Sequence, residues 1–292
     1  MKKFFILLAV TVGATFSAMA QQTVSYERAD ETVRLWDNST AKYSNHETRD
    51  EAWRKQNSIW RTSSCELYIF KAALEKNTGA AIVLYPGGGY ACLNLPVSVA
   101  KWYASRGITV AVVKYRLPNY GHYEATLEDA IGAVKYLRTR TDLGINPAKV
   151  GVGGSSAGGH LASWVSNAMA DGEKPAFAIL HYPWINLTKS YTNTEGLVLF
   201  QFLGKDYHYQ EAVNLSTHNM VTSTTPPTLL LLCDDDSTVS SLSSVAYYKA
   251  LNNHGVKASI HIYPKGGHSL KQHFDEYRPA TIDWLTWLGI VE

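Results

Sequence analysis

Beyond about residue 65 the chain alternates between short apolar runs and longer, helix-like ones. The short runs are Glu66–Lys71, Ala80–Tyr85, Thr109–Tyr115, Lys149–Val152, Phe177–His181, Thr228–Leu232 and Ala258–Tyr263. The later ones have no alternating polar face, which predicts strands covered on both sides of a sheet. The longer runs are Pro96–Ser105, Ala125–Thr139, Ala157–Ala170, Ser241–Asn253 and Phe274–Leu288. Gly107 and Gly255 each close a helical run just before a strand, a typical stop signal. Strands alternating with helices predict an α/β fold with a mostly parallel, doubly covered sheet in a single domain over residues 65–292.

Two stretches break that rhythm. Residues 21–64 are polar and aromatic without clear periodicity, and are expected to form an irregular extension wrapped on the domain. Leu187–Thr225 is long and mixed, with Phe200–Gly204 as its one predicted short helix. An insertion of that length in a compact domain is usually functional. Its place between two late strands predicts a lid-like element over residues 187–225.

The N-terminus differs in kind. Met1-Lys-Lys is followed by Phe4–Val10, an apolar core, and by a small-residue stretch ending Ala18-Met-Ala20. These are the three parts of a cleavable export signal, with the cut expected after Ala20 and a secreted or periplasmic product. The apolar run is too short for a membrane span, and no other segment approaches the necessary length.

Loss of Lys2 and Lys3 would leave 25 basic against 25 acidic side chains, with no basic run. Nucleic acid is therefore not an expected partner. Cys65, Cys92 and Cys233 show no metal-ligand spacing and sit in or beside apolar strands, so buried free thiols are expected. Eight Trp and 18 Tyr make an aromatic-rich chain, suited to carbohydrate contact and equally to a large core.

Residues Gly154-Ser-Ser-Ala-Gly158 carry the chemistry. G-x-S-x-G is the spacing of a nucleophile elbow, in which a sharp strand-to-helix turn exposes one serine hydroxyl and glycines avoid clashes with neighbouring elements. The motif follows the strand-like Ala148–Val152 and opens the helix-like Leu161–Ala170, as the elbow requires. Two serines are adjacent, and only one register fits. Taking Ser155 as nucleophile would end the motif in Ala157, so Ser156 is the candidate.

Upstream, the strand ending at Tyr85 runs into Pro86-Gly-Gly-Gly-Tyr90. Consecutive glycines let a backbone approach a ligand and aim N–H groups at it. Gly88 and Gly89, with the N–H of Ala157, are the candidate oxyanion hole. Downstream, Thr228–Cys233 runs into Asp234-Asp-Asp236. One carboxylate can orient an imidazole; Asp236 is favoured and Asp235 kept in reserve. The candidate base is His268, in the loop Tyr263–His268 after the last strand. His160, His181 and His261 fall within helix or strand patterns instead. Tyr90 and Trp184, beside these loops, are the candidates to stack on a sugar ring.

Taken in order, Pro86–Tyr90, Tyr115-Arg-Leu-Pro118, Leu127-Glu-Asp-Ala130, Gly154–His160, Thr225-Pro-Pro-Thr228, the aspartate run and Gly266-Gly-His268 make the chain resemble the α/β-hydrolase superfamily. The likeness runs from about Leu67 to the C-terminus. It lies in the branch joining hormone-sensitive-lipase-like esterases to secreted bacterial carbohydrate esterases of acetylxylan and feruloyl type. The family's D-x-x-V pattern falls on Asp236-Ser-Thr-Val239. Two positions depart from it: Pro86 stands where lipase-like members carry His, and Ser240 replaces the proline that usually follows the valine.

The resemblance implies a serine carboxylic-ester hydrolase without cofactor or metal, acting on acylated saccharides or small esters. Three rivals remain at this level. A serine peptidase of prolyl-oligopeptidase type usually carries a propeller domain, for which there is no room ahead of the first strand. A lipase-like short-chain esterase would share fold and triad. A non-catalytic binder on a hydrolase scaffold would normally have lost a triad member, and none is missing. Oligomeric state is left open.

Overall fold

The computed structural model describes residues 29–54 and 57–292. The expected export segment lies outside them. Eleven strands appear among the described residues: β1 (Glu31–Asp37), β2 (Ala52–Arg54), β3 (Ser58–Trp60), β4 (Ser64–Phe70), β5 (Ala81–Tyr85), β6 (Leu93–Asn94), β7 (Thr109–Lys114), β8 (Val150–Ser155), β9 (Ala178–His181), β10 (Thr228–Cys233) and β11 (Ala258–Tyr263). Seven α-helices connect them: α1 (Val97–Ser105), α2 (Tyr123–Thr139), α3 (Ala157–Ala168), α4 (Asn193–Leu203), α5 (Tyr209–Leu215), α6 (Ser241–Asn253) and α7 (Phe274–Trp287).

Eight strands form one sheet in the order β1-β4-β7-β5-β8-β9-β10-β11. The pairs from β7 to β11 are parallel, while β1–β4 and β4–β7 are antiparallel. Every residue of β5, β7 and β10 is buried, as their unbroken apolar runs predict. The last strand, β11, has a neighbour on one side only and is half-buried, with Ile262 exposed. Among the described residues no helix is long and apolar enough to cross a membrane.

The chain order fixes where a site can form. From β5 the chain passes through α1 to β7 on one side, then through α2 to β8 on the other. The strand order therefore reverses at β5. A crevice opens outside the carboxyl ends of strands at such a switch point. The glycine turn after β5 and the elbow after β8 thus leave the sheet from adjacent strands.

The segment expected to be irregular carries an edge strand of the main sheet. β1 pairs antiparallel with β4, with a register shift at Trp36. None of its residues is fully buried, and Glu31, Arg34 and Asp37 interrupt it with charge, so its alternation is hard to see in the sequence. Its attachment runs through Arg116. That guanidinium is fully buried against Asp129 at 2.7 Å, and it also donates to Asn38 Oδ1 and the Tyr43 carbonyl. The motifs around Arg116 and Asp129 therefore meet as one ion pair, which also anchors the extension. Removing one member of such a pair costs about 3–5 kcal/mol.

The insertion between β9 and β10 is more ordered than its sequence suggests. The short helix expected at Phe200–Gly204 is the last turn of the longer α4, and α5 follows it. Thr192 and Glu195 start α4 with a reciprocal capping box, each side chain accepting the other's backbone N–H. All three cysteines are free and buried.

Candidate active site

Ser155 is the last residue of β8 and Ser156 precedes the first of α3. Ser156 has φ 56° and ψ −124°, a conformation a serine holds only when its surroundings impose it. Here the surroundings are the flanking glycines. A Cβ on Gly154 would lie 2.1 Å from the Gly158 carbonyl oxygen, and one on Gly158 would lie 2.1 Å from that of Tyr85. Any other residue at either position would push α3 off β5 and β8. The turn is closed by Ser156 N–H donating to His181 O at 3.0 Å, while Ser156 O accepts from His160 and Trp184 N–H groups at 3.0 and 3.2 Å.

The loop after β5 lies against this turn. A Cβ on Gly87 would sit 2.6 Å from Ser155 O and 3.2 Å from Ser156 Cβ. Gly88 and Gly89 have φ of 137° and 61°, and a Cβ on Gly88 would strike the Cys92 carbonyl at 2.2 Å. Among the described residues nothing accepts from the N–H groups of Gly88, Gly89 or Ala157. Three backbone donors without a partner thus lie on the loop that packs against the elbow and at the start of α3, an arrangement suited to a developing oxyanion.

The three aspartates after β10 divide the work. Asp236 Oδ2 lies 2.7 Å from His268 Nδ1, and its Oδ1 accepts from Thr238 and Val239 N–H groups at 2.8 and 3.0 Å. Asp235 Oδ1 accepts from Gly267 N–H at 2.8 Å, bracing the loop that carries His268. Asp234 accepts from the Ser241 hydroxyl at the start of α6. The Asp236 side chain is 1 % exposed and that of His268 23 %, so the carboxylate is dry and the imidazole reachable. Tyr182 joins this pair to the elbow. Its ring lies 4.6 Å from that of His268. Burial pushes its hydroxyl up to about 12, against a hydrogen bond with Ser155.

The substrate-stacking expectation for Tyr90 and Trp184 does not fit this geometry. Both are 1 % exposed. Tyr90 stacks on Phe202 of α4 at 4.6 Å and bonds His160 through its hydroxyl, while Trp184 packs among Tyr90, His160 and Phe202. The insertion covers both rings, leaving neither a free face for a sugar.

Two further residues escaped the sequence reading. Glu195 in α4 is 1 % exposed, and burial raises its carboxyl above the usual range. Its Oε2 accepts from Tyr191 and Thr192, and its Oε1 from Ser240 N–H at 3.3 Å. Thr192 in turn donates its hydroxyl to Thr238 O at 2.7 Å. The insertion therefore grips the turn that positions Asp236. Ser240, the departure from the family pattern, supplies an N–H to this contact that proline lacks. The second residue is His160, fully buried in α3.

Residues 82–272 match the family described as alpha/beta hydrolase fold. The chain belongs to that family. A solved α/β-hydrolase-like relative, described as an acetyl ester-xyloside bifunctional hydrolase from Caldicellulosiruptor lactoaceticus, is 30% identical. It superposes with a TM-score of 0.75 over 90% of this chain and 97% of its own. An acetylxylan esterase of Xylanibacter ruminicola is 35% identical over 202 residues, 66% of this chain and 42% of that protein. Carboxylesterase NlhH of Mycobacterium tuberculosis is 27% identical over 156 residues, 49% of each chain. This hydrolase-fold chain thus spans about half the length of the curated relatives it matches.

Proposed function

We propose that this protein is a secreted serine carboxylic-ester hydrolase that removes acyl groups, acetyl first and feruloyl second, from plant-polysaccharide fragments such as xylan. The observation that carries the reading is the 2.7 Å contact of His268 Nδ1 with a dry Asp236 carboxylate, on the same sheet as a strained Ser156 at the elbow after β8. The printed names of the acetylxylan esterase and the acetyl ester-xyloside hydrolase support the acetyl-saccharide class. The signal-like N-terminus supports export.

In this mechanism Asp236 holds His268 with the proton on Nδ1, leaving Nε2 as an acceptor for the Ser156 hydroxyl proton. Ser156 Oγ attacks the ester carbonyl, and the oxyanion collects hydrogen bonds from Gly88, Gly89 and Ala157. His268 returns the proton to the leaving alcohol, giving the acyl-enzyme. Water, activated by the same imidazole, then releases the acid.

Release of acetate and ferulate from defined xylan oligomers, read by chromatography beside p-nitrophenyl esters of two to eight carbons, tests the reading. Acetyl esters should exceed octanoyl esters in kcat/KM, since one mismatched methylene is worth about 1–3 kcal/mol. A profile peaking at eight carbons, with nothing released from xylan fragments, would point to a lipase-like esterase on the same triad.

A further inference from the structure

His160 stands between three parts of the site. It is the fourth residue of α3, and its backbone N–H bonds Ser156 O at 3.0 Å. Its ring Nε2 lies 2.9 Å from the Leu215 carbonyl, at the end of α5. A carbonyl can only accept, so Nε2 carries the proton. That leaves Nδ1 as an acceptor, 2.7 Å from the Tyr90 hydroxyl, which must donate. Tyr90 directly follows Gly88-Gly89 and has φ 57°, a genuine outlier for a bulky side chain. Its ring is clamped by Phe202 of the insertion. Burial holds the imidazole neutral, with a pKa down to about 4, so the acceptor nitrogen persists at neutral pH.

We propose that His160 and Tyr90 are positioning residues that carry the seating of the insertion to the oxyanion turn. The Leu215 carbonyl fixes the imidazole tautomer, the tautomer orients the Tyr90 hydroxyl, and that bond pins the backbone beside the Gly88 and Gly89 N–H groups. Donors held in place before reaction contribute to the transition state and not to substrate binding. The proposal rests on the reading of Ser156 as nucleophile and of the glycine turn as its oxyanion hole.

The test uses the full chain, with working sites counted by a fluorophosphonate label on Ser156. Tyr90→Phe removes one oxygen and keeps the ring. It should lower kcat for p-nitrophenyl acetate, per labelled site, by about tenfold while KM stays within about twofold. His160→Asn offers an oxygen near the place of Nδ1 and should retain more kcat per site than His160→Phe, which offers none. A role in core packing alone predicts otherwise: fewer labelled sites and a lower melting temperature, with kcat per site unchanged in all three variants. That result would overturn the proposal. A wild-type chain that neither labels nor cleaves the ester would instead remove the hydrolase reading, which the variants are not needed to reveal.

Discussion

The elbow and the insertion sit against the same candidate site, yet they are held in opposite ways. Around Ser156 the chain has no steric freedom: a Cβ on Gly154 or Gly158 would meet carbonyl oxygens at 2.1 Å, and the φ of 56° follows from that crowding. The insertion is held by contacts distant in sequence. Glu195 grips Ser240 N–H, Leu215 O accepts from His160 Nε2–H, and Phe202 stacks on Tyr90. One region is fixed by what its own residues cannot do. The other is fixed by what it finds elsewhere. Substitutions in the first should abolish activity, and those in the second should tune activity or stability.

The largest contrast lies within the elbow itself. Ser156→Ala is expected to leave a folded protein with esterase turnover down by up to roughly 10⁶, while Ser155→Ala keeps most of its activity. Ser155 packs against Gly87 through its carbonyl and hydroxyl, a contact that takes no part in proton transfer. Steady-state rates on p-nitrophenyl acetate decide it; a dead Ser155→Ala beside an active Ser156→Ala would mean that the elbow is in the other register.

The aspartate run gives the next contrast. Asp236→Asn should lower kcat by about 10⁴, because an amide cannot hold the Nδ1–H tautomer. Asp235→Asn keeps an acceptor for Gly267 N–H and should cost far less, and Asp234→Asn less again. Equal losses at positions 235 and 236 would show that bracing the His268 loop matters as much as orienting its ring.

Much of this was legible before any coordinates. The seven sheet strands from β4 onward and five of the helices follow from unbroken apolar runs and glycine stops, because buried parallel strands need an apolar residue at almost every position. The elbow was legible for a related reason: steric exclusion leaves glycine as the sole solution, and glycine can be read directly. What escaped depends on partners far along the chain. β1 is visible only beside β4, and the first turns of α4, ahead of the short helix expected at Phe200–Gly204, are held where Glu195 meets Ser240 N–H. The ring of Tyr90 looks free for a sugar until Phe202, more than a hundred residues later, is folded onto it.

Acid should weaken the buried framework. His160 is fully buried and His181 partly buried, and desolvation holds both down to about 4, against about 6.5 in an unfolded chain. Between these values the unfolded chain binds the extra protons, so the stabilisation is complete above about 6.5 and is lost as pH falls toward 4. Each shifted unit is worth about 1.4 kcal/mol. Urea midpoints should therefore drop clearly from pH 7 to pH 5, and replacing His181 with Asn should flatten the drop. A midpoint independent of pH over that range would mean that water reaches both rings.

The smallest effect expected is at the insertion's grip on the acid turn. Glu195 satisfies three backbone donors with two oxygens, two of them on α4's own N-terminus and one, Ser240 N–H, on the turn after Asp236. Glu195→Gln keeps one oxygen and turns the other into a donor. Whichever way the amide faces, at least one N–H then meets an NH₂ group in a buried place. Leaving such a donor unsatisfied costs about 1–3 kcal/mol, which should lower the melting temperature by a few degrees. Burial disfavours the charged form of Glu195, so the neutral amide recovers part of that loss. The Asp236–His268 contact is held independently by Thr238 and Val239 N–H groups, so kcat should fall only a fewfold. If kcat instead fell as far as in Asp236→Asn, with the melting temperature unchanged, the insertion would be setting the geometry of the acid itself, and the division between a steric elbow and a tunable insertion would have to be redrawn.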